Sequence, residues 1–108
     1  MLGLFKRASG ATDQMKALNT RGMVCAGRLE LACRIHKASD SRMVVQLERP
    51  SAVSGHVVVV DLQRGLAFDA AIVSSRAREM VLDVRTRHNL AGLVPARLSR
   101  ARDIWKRA

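Results

Sequence analysis

Between residues 23 and 35 the apolar side chains fall on every second position, Met23, Cys25, Leu29, Leu31, Cys33 and Ile35, with Arg28, Glu30 and Arg34 on the alternate ones. Successive side chains of a strand point to opposite faces, so a period of two writes one buried and one wet face. A helix would instead repeat its apolar residues every third or fourth position. Gly27 interrupts the run and reads as a bulge or bend that wraps one long strand around a barrel. Met43, Val45 and Leu47, set against Arg42, Gln46 and Glu48, repeat the rule, with Val44 out of step. Residues 50–55 are turn-rich. Residues 56–62 form a β-branched run suited to a strand covered on both sides. Gln63, Arg64 and Gly65 then supply a hairpin, residues 66–73 a strand, residues 74–78 a turn, and residues 79–85 a strand with Met80, Leu82 and Val84 on one face. Five or six short strands at this spacing predict a mainly β fold, a small antiparallel barrel.

The two ends depart from this rhythm. Residues 1–20 read as a flexible arm in which residues 12–18, opening on Thr12, can form a short capped helix. Met1, Leu2, Leu4 and Phe5 beside Lys6 and Arg7 could touch a membrane surface or a partner, although a frayed terminus needs no such role. Residues 21–108 carry the barrel and, from about residue 95, a tail. There Leu98, Ala101, Ile104 and Trp105 recur at helical spacing, with Arg97, Arg100, Arg102, Lys106 and Arg107 largely on other faces. This predicts an amphipathic C-terminal helix whose stripe seals a mouth of the barrel or packs on its side. Its other use is to dock a partner through Arg97, Arg100, Ile104 and Trp105, because arginine and tryptophan supply much of the energy at interfaces.

Composition bounds the function. A chain of 108 residues has room for one core, and its longest unbroken apolar run, residues 57–60, falls far short of the roughly 20 that span a bilayer. The N-terminus lacks the layout of a secretory signal, so a cytoplasmic location is expected. In that compartment Cys25 and Cys33 read as buried thiols, and His36, His56 and His88 are too scattered for a metal site. The acidic residues are spread singly. Asp61 and Asp69 flank a hairpin and could face each other, but read as solvated or salt-bridged groups rather than a catalytic dyad. His36 and Ser39 lack an orienting carboxylate. With no nucleophile elbow, P-loop or dinucleotide fingerprint, the expectation is a non-enzymatic protein with no catalytic residue, metal or cofactor. The formal charge of +10, mostly arginine, favours polyanionic partners. Nucleic acid is one, although Phe5, Phe68 and Trp105 are the whole aromatic complement and offer little base stacking.

The order of these elements resembles a PilZ domain, the bacterial cyclic di-GMP receptor module, over residues 21–105. Residues 22–29 resemble the strand after the family's N-terminal arginine motif, and residues 33–47 its strand, signature turn and next strand. Residues 50–60, the hairpin at Arg64 and Gly65, and residues 71–84 resemble the remaining barrel strands, and residues 90–105 the tail of some single-domain members. In that family the ligand is held by an R-x-x-x-R loop before the first strand and a D/N-x-S-x-x-G turn between strands. Arginine forks take guanine edges and phosphates, and glycine lets the backbone come close. Here the turn reads Lys37, Ala38, Ser39, Asp40, Ser41, Arg42, and only Ser39 matches. Lys37 stands in place of an acceptor and Arg42 in place of glycine. Arg21 has Ala17 four residues before it and Lys16 has Thr20 four after it, so at most one arginine of the first motif remains. The resemblance therefore implies a regulatory or adaptor domain of cyclic di-GMP signalling that works mainly through a protein partner. Two alternatives stand beside it: a reworked basic pocket of Arg21, Lys37, Ser39 and Arg42 that still holds cyclic di-GMP, and a basic barrel that binds nucleic acid.

Overall fold

The computed structural model describes residues 15–108. Six strands, β1 (Lys16–Ala26), β2 (Leu29–Ala38), β3 (Arg42–Leu47), β4 (His56–Asp61), β5 (Leu66–Arg76) and β6 (Glu79–Asn89), are followed by a single 3-10 turn (Ala96–Leu98) and helix α1 (Ser99–Arg107). Every strand pairing is antiparallel, and the ring closes in the order β1-β2-β3-β6-β5-β4 when β1 pairs with β4, Gly22 opposite Asp61 and Cys25 opposite Val58. Closure removes the unpaired strand edges that an open sheet would present. No described helix is long and apolar enough to cross a membrane.

The interior is filled by alternate residues of all six strands, among them Val24, Ile35, Met43, Val45, Val59, Met80 and Leu82, each fully buried. A second apolar cluster lies outside the ring. There Ala101 and half-buried Trp105 of α1 meet Val58 and Val60 of β4, Met23 and Cys25 of β1, and Leu90. The helix therefore packs on the side of the barrel rather than sealing a mouth, and β4 is covered on both faces, as its β-branched run requires.

Three expectations are corrected. The alternation at residues 23–35 belongs to two strands: Ala26 pairs with Leu29, and Gly27, at φ 59°, makes the turn of a tight hairpin with Arg28. Leu31, Cys33 and Ile35 face the interior, whereas Met23 and Cys25 face outward beneath α1, and Val24 takes the interior position between them. Apolar residues on both faces of β1 hid that change, because a covered exterior looks like a core. The strand also begins at Lys16, so Lys16, Ala17 and Leu18 are extended rather than helical. Leu18 is drawn inward against the core. The rest of the short capped helix, from Thr12, and the apolar patch at residues 1–5 lie outside the described residues. Finally, the turn expected at residues 74–78 narrows to Ala77 and Arg78, with Ala77 at φ 55° in a conformation that usually selects glycine. True register irregularities fall elsewhere, between Ala17 and Thr20 of β1, Ile35 and Lys37 of β2, and, in β5, between Asp69 and Ala70 and between Ile72 and Ser74.

Gly65 joins the barrel to the helix. It sits at φ 70°, and a Cβ there would stand 2.7 Å from Cζ2 of Trp105. Its carbonyl also accepts the Leu90 N–H, tying the β4–β5 turn to the chain that leads into the tail. Gly65→Ala is expected to lower the unfolding free energy in urea by about 2–4 kcal/mol through backbone strain plus overpacking. Adding Trp105→Leu should restore only the steric part, so the double variant should be more stable than the sum of the two single losses.

Candidate functional site

The four residues at the motif positions do not converge. Ser39 lies in the β2–β3 turn, where its Oγ accepts the Arg42 N–H at 3.1 Å and the Ser41 N–H at 3.4 Å, holding the turn closed. Arg42 opens β3 and donates from Nη2 to Asp83 Oδ1 on β6 at 2.9 Å. Lys37 is exposed on the outer face of β2, opposite Ala17 and Val44. Arg21 is exposed on the outer face of β1, opposite Arg34. Of these, Ser39 lines a cavity.

That cavity, about 670 Å³, opens at the mouth where β1 begins and β2 ends. Its wall includes Lys16, Leu18, Ser39, Arg64, Phe68 and Arg87. The register explains why cations gather here. Lys16 pairs with inward-facing Ala38, and Arg87 pairs with inward-facing Phe68, so both share the interior face at the mouth. Arg64 is held by Asp61, which is fully buried. One Asp61 oxygen accepts the N–H groups of Gln63 (3.0 Å) and Arg64 (2.9 Å), and the other accepts Arg64 Nε at 2.7 Å. A buried carboxylate needs such partners, and here they shape the β4–β5 turn. Asp61 therefore does not face Asp69, which pairs with Val58. The cationic character of Lys16 and Arg87 at the mouth is invisible in sequence, because it arises from strand ends far apart in the chain.

The tail residues foreseen as a docking face are engaged within the molecule. Ile104 is buried and Trp105 lies half-buried over Gly65. Arg97 grips Asp69 with both nitrogens at 2.7 Å. Arg100 donates to the carbonyls of Gly27 and Arg28 and, at 3.0 Å, to Glu30. Ile104 cannot serve as an exposed anchor, and the arginines clasp the helix to the β1–β2 hairpin and to β5. These contacts leave no mark in the sequence of the tail, because the acids that meet the arginines lie 28 and 70 residues earlier.

Asp69 also accepts the Thr86 hydroxyl at 2.6 Å and lies 3.2 Å from His88 Nε2, which is itself 3.2 Å from Thr86 Oγ1. This grouping contains the residue types of a hydrolytic triad but not its geometry. A triad histidine bridges acid and nucleophile through its two different nitrogens. Here one nitrogen faces both groups, and the carboxylate is already occupied by Arg97 and Thr86. Burial pushes the Cys25 thiol up to about 11 and the Cys33 thiol to about 12, so both are protonated and poorly nucleophilic near neutral pH. Among the described residues no group of three or more histidine, cysteine or acidic side chains could hold a metal ion. No family model matches the chain, and no curated protein matches it.

Hydrogen bonds from Arg97, opposed by partial desolvation and aided by Thr86, hold the Asp69 carboxyl well below the usual carboxylate range. A depressed native value stabilises the fold above the unfolded carboxylate value of about 4, and this contribution is lost as pH falls through the native one. Asp69→Asn is thus expected to melt earlier than the parent at pH 6. The difference in Tm should shrink steadily below about pH 4, read by circular dichroism melts across that range.

Proposed function

We propose that this chain is a non-enzymatic, PilZ-like regulatory domain of bacterial cyclic di-GMP signalling that acts in the cytoplasm mainly by binding a protein. The observation that carries this reading is the internal engagement at the signature turn. Arg42 stands where the family's pattern has glycine, and it is paired with Asp83. Ser39 is committed to its own turn. Arg21 and Lys37 point outward from the sheet instead of lining a shared cavity. A nucleotide bound through those four residues would have to break an ion pair and gather groups spread over three strands. The mainly β barrel and its order of elements support the family resemblance, and the arrangement of these side chains supports the loss of its ligand site.

The mouth favours a second reading. Lys16, Arg64 and Arg87 share the lining with apolar Leu18 and Phe68 and with one acid, Asp40, a net basic combination suited to phosphates on a flat ring system, and a cyclic dinucleotide is the ligand that the resemblance implies. Nucleic acid held at the same cations is the third reading, and its phosphate contacts would weaken steeply with salt.

Calorimetric titration with cyclic di-GMP at about 0.3 M salt, where loose polyanion attraction is screened, separates these readings. The adaptor reading expects no saturable heat. A dissociation constant of about 10 μM or tighter at that salt would overturn it. Loss of that binding in Arg87→Ala, with unchanged binding in Arg42→Ala, would then place the ligand at the mouth.

A further inference from the structure

Helix α1 covers only half of the barrel exterior. The apolar cluster beneath it draws on β1, β4 and β5 and contains no residue of β2, β3 or β6. On that other half, Val44 of β3 stands between inward-facing Met43 and Val45, and Val81 of β6 between Met80 and Leu82, so both valines point outward. They are register partners of each other, and Val81 is opposite Ser74 of β5. Beside Ser74 the register shifts, and Val73 is 51% exposed. The result is a short valine strip across three strands.

The flank of this strip on β1 and β2 is basic. Lys37 is opposite Val44, and Arg34 is opposite Gln46 on one side and Arg21 on the other. Like charges placed directly across a strand pair destabilise it, yet among the described residues Arg34 bonds to the neutral Asn19, whose backbone oxygen and Oδ1 accept from Nη1 at 3.4 and 3.3 Å. Of the two acids on β6, Asp83 is paired with Arg42, and Glu79, at the start of the strand, stands opposite Gln46 on one side and Arg76 on the other.

We propose that the outer face of β2, β3 and β6 docks an amphipathic, acidic helix of a partner protein, its apolar stripe on Val44 and Val81 and its carboxylates against Arg21, Arg34 and Lys37. This deepens the adaptor reading and rests on it. The barrel already accepts a helix on its opposite side, where Met23, Cys25, Val58 and Val60 form the equivalent strip, so the same kind of packing fits here. The ring has no free edge for an added strand, and recognition falls to side chains on its outer surface. Charge selects among occupants. A second copy of this chain, at +10, would bring like charge. Residues 1–14, which contain Lys6 and Arg7 against Asp13, would do the same. A central apolar strip without an exposed aromatic favours a protein over nucleic acid, whose bases would have no stacking platform.

The test uses the full chain, labelled with nitrogen-15, and a synthetic helical peptide of about 18 residues carrying leucine on one face and glutamate on the other. Its counterpart with lysine for glutamate and a double-stranded RNA are titrated in parallel. The expected result is saturable shifts confined to β2, β3 and β6 with the acidic peptide alone. Arg34→Glu with Lys37→Glu should weaken that binding about tenfold or more, and the charge-matched pair Arg49→Glu with Lys106→Glu about twofold or less. Both double variants are checked for unchanged melting, and Val81→Thr provides a second, milder probe of the strip that should also weaken binding. Equal losses in the two pairs, shifts centred elsewhere, saturation by RNA instead, or no saturable shift would overturn the proposal. Cyclic di-GMP calorimetry reads the adaptor proposal separately, so a failed docking face with no nucleotide binding would leave that reading standing.

Discussion

Strand β4 is buried from both sides, and the arrangement of the rest follows from that. Val57 and Val59 complete the barrel interior, Val58 and Val60 carry the helix, and β4 also closes the ring against β1. Burying a side chain of this size contributes about 1.5–3 kcal/mol, so four successive valines make β4 a dense source of stability. Asp61 ends the strand fully buried and converts its carboxylate into the scaffold of the next turn. Gly65 in that turn then receives Trp105. Barrel closure, turn geometry and helix position are thus coupled through one short segment.

Electrostatics divide the molecule in the same way. Asp69 and Glu30 bind the arginines of the tail, Asp61 binds Arg64, and Asp83 binds Arg42. Among the described residues this use leaves other cations without an ion pair, notably Arg21, Arg34 and Lys37 on the outer sheet and Lys16 and Arg87 at the mouth. The Arg97–Asp69 pair is bidentate, with two short charge-assisted bonds, the geometry in which a largely exposed pair still contributes. The basic surface of the protein is therefore patterned by the clasp of its own helix.

For function, the two unassigned basic regions differ in kind. The mouth is concave, with an apolar floor and converging cations, the form of a small-ligand site. The outer sheet is a flat strip of valines with a basic flank, the form of a protein contact with an apolar centre and a charged rim. Ser39 and Arg42 sit between them, engaged in turn closure and an ion pair. A fold alone does not assign either region its chemistry, which rests on the side chains each presents.

Period-two alternation and the β-branched run at residues 56–62 determined that the chain would be an antiparallel barrel with one doubly covered strand, and helical spacing after Pro95 determined the amphipathic tail. These signals are local, because strand and helix periods follow from backbone geometry alone. Only the tertiary structure decided which face of β1 was interior, that Gly27 turns a hairpin, and that Ile104, Arg97 and Arg100 serve the fold. It likewise decided that Lys16 and Arg87 meet at one mouth. Register and through-space pairing join residues tens of positions apart, and a chain read one position at a time carries no record of which distant charge will stand across the sheet.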